Sequence, residues 1–136
     1  MEECNMMKIQ KSAEDYLETI LVLSFKGEGV HSINIATAMN FSKPSVSIAM
    51  KKLRENGYIT VDGEDHIHLT ESGREIAERI YERHRVLSSL LIHLGVDEKV
   101  AREDACQIEH VISAESFAKI KEHALKYDPS LIDELQ

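Results

Sequence analysis

Cys106, Glu109 and His110 fall within five residues of one another, and all three are metal-ligand types. On a helix, positions i, i+3 and i+4 share a face, so this thiol, carboxylate and imidazole would point the same way. Asp15 and Glu18, three residues apart, form an acidic pair that also shares a helical face. His84 lies between the two groups in the chain, flanked by Arg83 and Arg85. Each feature has a plainer reading. Cys106 suits a buried core thiol, Glu109 and His110 suit a solvated face, and acidic pairs on helices usually meet water. A histidine between two arginines suits a surface or a phosphate contact. Coordination of a divalent transition metal stands beside these plainer readings. Carboxylates and imidazoles suit Mn²⁺ and Fe²⁺, whereas a thiolate favours softer ions such as Fe²⁺, Co²⁺ or Zn²⁺.

The elements that must position these groups follow from hydrophobic spacing. From Ser12, a candidate N-cap, to Phe25, the residues Ala13, Leu17, Ile20, Leu21 and Leu23 recur at helical intervals, and Gly27 and Gly29 end that helix. Ser32 is placed to cap a short second helix through Met39, followed by a turn at residues 40–42. A third helix starts at Ser42, with Pro44 in its first turn, Val46, Met50 and Leu53 facing inward, and Asn56-Gly57 as its stop. The period then changes from 3.6 to 2. Residues 58–61 and 66–69 flank Asp62-Gly63-Glu64-Asp65, the pattern of a β-hairpin, with His66 and His68 expected to be exposed. Three helices and a small hairpin make a winged helix-turn-helix.

After Thr70 a long helix carries Ile76, Ile80, Leu87, Leu91 and Leu94 and stops at Gly95. Asp97 is placed to cap a fifth helix to about Ile112, and Ser113 or Ala114 begins a sixth that ends near Tyr127. The fold expected is mainly α. Residues 1–71 form the winged helix-turn-helix, and residues 72–136 form a helical metal-binding and dimerisation domain. Leu87, Leu91, Leu94, Val111 and Phe117 are the residues expected to build a homodimer.

Charge is distributed in a way that fits DNA at one end only. The 136-residue chain carries a net charge of −8, which by itself opposes nucleic-acid binding. Between Lys26 and Val61, however, five basic residues stand against two acidic ones, while from Asp97 onward ten acidic residues stand against five basic. In helix-turn-helix proteins the start of the third helix reaches base edges. Here Ser42, Lys43, Pro44, Ser45 and Ser47 occupy that start, with Lys51 and Lys52 further along. Hydroxyls bond to bases or phosphates, the proline ring meets a thymine methyl, and lysines suit phosphates. A solvated face with capping serines accounts for Ser42 but not for the local positive charge. The acidic wing tip argues against deep entry into the minor groove. No apolar run approaches the roughly 18–20 residues that span a bilayer, so a cytoplasmic protein without a membrane partner is expected. A disulfide between Cys4 and Cys106 is a poor default in that compartment.

An acidic pair in the first helix, a winged helix, a histidine in the connecting helix and Cys-x-x-Glu-His in the next together resemble the diphtheria toxin repressor family. The nearest likeness is to its short branch of manganese transport regulators. The resemblance runs from about Ser12 to Tyr127, carried most specifically by residues 13–18, by Arg83-His84-Arg85 and by residues 106–113. It implies that Asp15, Glu18, His84, Cys106, Glu109 and His110 are metal ligands. It also makes the chain a hybrid, since Asp15 matches the manganese branch and Cys106 the iron branch. The iron branch's ancillary site is not reproduced, because Ser88 and Arg102 stand at two of its ligand positions. The SH3-like third domain of that branch is not expected either, as in the manganese branch.

The resemblance implies a homodimeric, metal-activated repressor of metal-uptake genes. It would bind palindromic half-sites in duplex DNA, with Mn²⁺ or Fe²⁺ as cofactor and Co²⁺ or Zn²⁺ as substitutes. Metal bridging the first and fifth helices would fix the DNA-binding head. Catalysis is not expected, since no residue outside the cluster offers a general base. The alternative is a winged-helix regulator that senses a small molecule or redox state without metal.

Overall fold

The computed structural model describes residues 2–131, with side chains from residue 11 onward. The order of elements is α1 (Glu2–Ser24), α2 (Ser32–Met39), α3 (Lys43–Glu55), β1 (Ile59–Val61), β2 (Ile67–Leu69), α4 (Glu71–His93), α5 (Glu98–Ile108) and α6 (Ala114–Tyr127). Two compact units, Met1–Glu78 and Arg79–Gln136, divide inside α4. No described helix is long and apolar enough to cross a membrane. The Cys4 side chain lies outside the described residues.

In the N-terminal unit, α1 buries Tyr16, Leu17, Ile20 and Leu21 on one face. It begins well before the expected cap at Ser12, because residues 2–11 contain neither Gly nor Pro to stop it. The cap of α2 is His31 and not Ser32: the His31 backbone N–H donates to Asn34 Oδ1 at 2.8 Å. Asn40, in the left-handed region at φ 56°, closes α2. Ser42 caps α3, its hydroxyl accepting from the Ser45 N–H at 3.3 Å, and Val46, Met50 and Leu53 form the buried stripe. The inward faces agree with the spacing read from the sequence.

The hairpin pairs Ile59 with Leu69, Thr60 with His68 and Val61 with Ile67, antiparallel. Ile59 and Ile67 fill the core, and the Ile67 N–H donates to Val30 O at 2.7 Å, tying the wing to the segment after α1. Gly73 lets the start of α4 pass close to the backbone of Tyr58, just before β1. A Cβ there would stand 2.1 Å from Tyr58 O, so only glycine fits.

In the C-terminal unit, Val86, Phe117, Ala124 and Leu131 form a core cluster flanked by Ile112, Ile120, Leu125 and Tyr127. Asp97 caps α5 by accepting from the Lys99 N–H at 3.1 Å, and Ser113 caps α6 by accepting from the Ser116 N–H at 3.1 Å. α5 ends at Ile108, four residues short of the expected Ile112, so Glu109 sits at its C-cap and His110 in the following turn. Two residues expected on the dimer surface belong instead to the protomer's own interior, Leu87 at 3% and Phe117 at 8% exposure. Leu94 and Val111, at 69% and 64%, remain free to meet a partner.

Candidate metal centre and nucleic-acid interface

Three ligand types converge within the C-terminal unit. His84, near the middle of α4, points its Nδ1 at Glu109 Oε2, 2.9 Å away. The same nitrogen lies 3.7 Å from Cys106 Sγ. One donor atom from each of His84, Cys106 and Glu109 lies within 4.8 Å of the others. His110, with 3% side-chain exposure, approaches Glu109 Oε1 through Nε2 at 3.4 Å. Cys106 is exposed, so the buried core thiol considered from sequence is not what the fold makes of it. Ala101 and Ala105 fill the inward face of α5 instead. Asp15 and Glu18 stand half-buried on α1 in the N-terminal unit.

The electrostatics of this group are those of a site that attracts cations. Hydrogen bonds to Cys106 and then to Glu109 favour the protonated ring and outweigh burial, so the His84 pKa is pushed up to about 10. Glu109 is 0% exposed, and its Oε1 has no hydrogen-bond partner. A buried carboxylate with an unmatched oxygen is costly unless positive charge completes it. Together with an imidazole and a thiol, that unmatched oxygen fits a divalent transition metal. His84, Cys106, Glu109 and His110 are the residues that would hold it, with the metal taking the place of the proton that His84 carries beside Glu109.

Arg83 positions this centre, a role the sequence did not signal. Its Nη1 donates to Glu109 O at 3.1 Å and to Ile112 O at 2.8 Å, while the guanidinium lies 5.3 Å from the Phe117 ring centroid. These bonds satisfy carbonyls freed where α5 stops and fix the turn that carries Glu109 and His110. Ser88 and Arg102 line a cleft of about 410 Å³ beside His84, with Arg85, Ser89 and Asp128 among its other walls. Arg102 is held by Glu98 at 2.9 Å.

On the N-terminal unit, Ser42, Lys43, Pro44, Ser45, Ser47, Lys51 and Lys52 are all exposed on or beside α3. The Ser42 hydroxyl donates to Ser45 Oγ at 2.8 Å, so those two hydroxyls already engage each other. Sequence reasoning passed over Ile48, 59% exposed in the middle of α3. On the wing, the His66 side chain is only 26% exposed, its ring 4.5 Å from that of His31, whereas the His68 side chain is 57% exposed. His66 precedes β2, so strand alternation does not govern it. Asp62 folds back onto the wing, accepting from the Glu64 and His66 N–H groups at 2.8 and 3.0 Å and meeting His68 at 2.8 Å. The bond with His68 and then the two backbone bonds hold its carboxyl below the usual range.

The N-terminal DNA-binding domain of iron-dependent repressors matches residues 8–67, and the metal-binding and dimerisation domain of the same repressors matches residues 70–129. The chain belongs to the iron-dependent repressor family. As a member it is a metal-dependent, DNA-binding transcriptional regulator with a dimerisation domain, as the resemblance to the diphtheria toxin repressor family implied. It is 35% identical over 115 residues to an uncharacterised HTH-type transcriptional regulator of Methanocaldococcus jannaschii, covering 83% of this chain and 92% of that protein. It is 31% identical over 104 residues to the transcriptional regulator MntR of Salmonella typhimurium, covering 76% of this chain and 66% of that one. Its fold is similar to the structure of the manganese regulator SloR, with a TM-score of 0.73 and 30% identity, over 82% of this chain and 52% of that chain. The chain thus spans about half the length of that manganese regulator and two thirds of MntR.

Proposed function

We propose that this protein is a homodimeric repressor of metal-uptake genes that binds a palindromic operator when Mn²⁺ or Fe²⁺ occupies its metal centre. Co²⁺ and Zn²⁺ would substitute. The observation that carries the reading is Glu109, a buried carboxylate one of whose oxygens accepts no hydrogen bond, set against His84 and Cys106. Asp15 and Glu18 are proposed as further ligands on the resemblance and on their three-residue spacing. Sulfur at Cys106 moves preference from Mn²⁺ toward Fe²⁺ relative to an all-oxygen and nitrogen set. Ser42, Lys43, Pro44, Ser45, Ser47, Lys51 and Lys52 are proposed to meet DNA, the lysines at phosphates. Leu94 and Val111 are proposed as part of the dimer surface, and the protein should sediment as a dimer at micromolar concentration.

Metal and operator are linked: a metal that tightens operator binding is itself held more tightly on the operator. The test is operator binding titrated in parallel with Mn²⁺, anaerobic Fe²⁺, Co²⁺ and Zn²⁺, with a chelated control. Binding that rises with metal and disappears in chelator is expected. Equal binding in chelator would reject this reading and favour a second one, a thiol-based redox response, which draws on the exposure of Cys106 beside His84.

A further inference from the structure

An α-helix turns about 100° per residue, so the side of α3 opposite its buried stripe Val46, Met50 and Leu53 carries Pro44, Ile48, Lys51 and, at its last residue, Glu55. Among the described residues Ile48 is the most exposed large apolar side chain of the N-terminal unit, at 59%, ahead of Phe25 at 54% and Phe41 at 49%. Its position is unfavourable on local grounds. A β-branched residue on an open helix face loses rotamer freedom against the preceding turn, and burial repays nothing there. The neighbouring hydroxyls at the start of α3 are engaged with each other, at 2.8 Å between Ser42 and Ser45. The outward line of this helix is therefore a proline ring, a branched alkyl group, an ammonium and, at its C-terminal end, a carboxylate.

We infer that Ile48 reads thymine C5-methyl groups in the major groove, so that each operator half-site carries thymine where this side chain meets it. The inference rests on the reading of α3 as the DNA-contacting helix. The thymine methyl is the one apolar group on the major-groove base edges. Isoleucine has no donor or acceptor. Against the amino group of cytosine or adenine it would strip water from a polar edge and return no hydrogen bond. Against thymine it buries carbon on carbon. Pro44, one turn earlier on the same line, extends the apolar strip, while Lys51, three residues later, meets the charge of the strand. The expected preference for the methyl is about fourfold per half-site, the ratio that corresponds to about 0.8 kcal/mol per buried carbon.

The test starts from the duplex that the full-length parent protein selects from a random library with Mn²⁺ or anaerobic Fe²⁺ present. Each thymine is then replaced singly by deoxyuracil, which removes the methyl and leaves every hydrogen-bonding group in place. One uracil position per half-site should weaken the parent by about fourfold and leave Ile48→Ala unaffected. Ile48→Gln should move the selected base at that position toward adenine, because glutamine pairs with adenine N6 and N7. Circular dichroism checks that both variants keep their helices, as an exposed site with a better helix former should. A parent that selects an operator, with Ile48→Ala keeping the same uracil sensitivity at every position, would overturn the inference and leave the proposed function standing. A change in oligomeric state rather than in base preference would also overturn it, assigning Ile48 to a protein contact. A parent that selects no sequence with any metal would reject the proposed function itself, and this inference with it.

Discussion

The two units of this chain are built on opposite terms. Among the described residues the N-terminal unit buries apolar side chains such as Leu17, Ile20, Leu21, Ile35, Val46 and Ile59, and fully buries no polar one. The C-terminal unit has a smaller apolar cluster and buries Ser88 and Glu109, the latter completely. A unit that presents an exposed helix to a polyanion can have a purely apolar core, because its working groups never leave water. A unit that captures a cation must hold a carboxylate out of water before the cation arrives. Stability and function are aligned in the first and opposed in the second.

Removing the buried charge should separate stability from function most sharply. Glu109→Gln keeps the shape and deletes the charge, so above pH 10, where His84 is neutral and no longer pairs with Glu109, the metal-free variant should melt at or above the parent's midpoint. Metal affinity should fall by more than about a hundredfold, beyond what outer-shell changes usually cost. At a metal concentration about 100 times Kd the parent should gain about 2.7 kcal/mol, a gain the variant should lack. Thermal melts with and without Mn²⁺ measure both. A metal-free midpoint well below the parent's above pH 10 would make Glu109 a structural residue.

Arg83→Met should come next. It leaves every candidate ligand in place but releases the Glu109 and Ile112 carbonyls, and should weaken Mn²⁺ or Co²⁺ by about 10–100-fold. Arg83→Lys should recover part of that loss. Unchanged metal affinity, with only stability reduced, would make Arg83 a packing residue.

A gentler effect follows from His84, whose pKa stands at about 10 in the metal-free fold against 6.5 ordinarily. A raised folded pKa stabilises the fold fully below pH 6.5, and that contribution is lost as pH rises through 10. Metal-free stability should therefore decline between pH 7 and pH 10, and the decline should be shallower in His84→Gln. Metal affinity should run the other way, because a metal on this nitrogen displaces its proton. It should rise with pH by at most about tenfold per unit for each proton released. Calorimetry in buffers of different ionisation enthalpy would count those protons.

Much of this was legible in the sequence, for a physical reason that also explains the gaps. Stripes such as Val46, Met50 and Leu53 announce their inward face because burial favours apolar groups at helical spacing. Asp97 and Ser113 announce helix starts because their oxygens satisfy free N–H groups. The start of α1 was missed because Ser12 looks like a cap yet lies in an unbroken helical run. The end of α5 was missed because Arg83, distant in sequence, takes up carbonyls that local rules leave open. Cys106, Glu109 and His110 were legible as ligand types, whereas the full burial of Glu109 was not, since spacing cannot say which acid is held from water. Ile48 was passed over although its spacing from Val46, Met50 and Leu53 already turns it outward, because the reading of this face stopped at hydroxyls, the proline ring and lysines; the structure adds its 59% exposure.

The central claim is that a metal at His84, Cys106 and Glu109 turns on DNA binding. Its most direct test is Co²⁺ titration of the parent and of Cys106→Ala, followed at once by near-ultraviolet absorption and by operator binding. In the parent, an intense thiolate-to-cobalt charge-transfer band should grow in step with operator affinity. Cys106→Ala should fold normally, lack the band and lose most of the metal-activated binding. Operator binding fully activated by Co²⁺ in a parent that shows no such band would take Cys106 out of the centre and contradict the account.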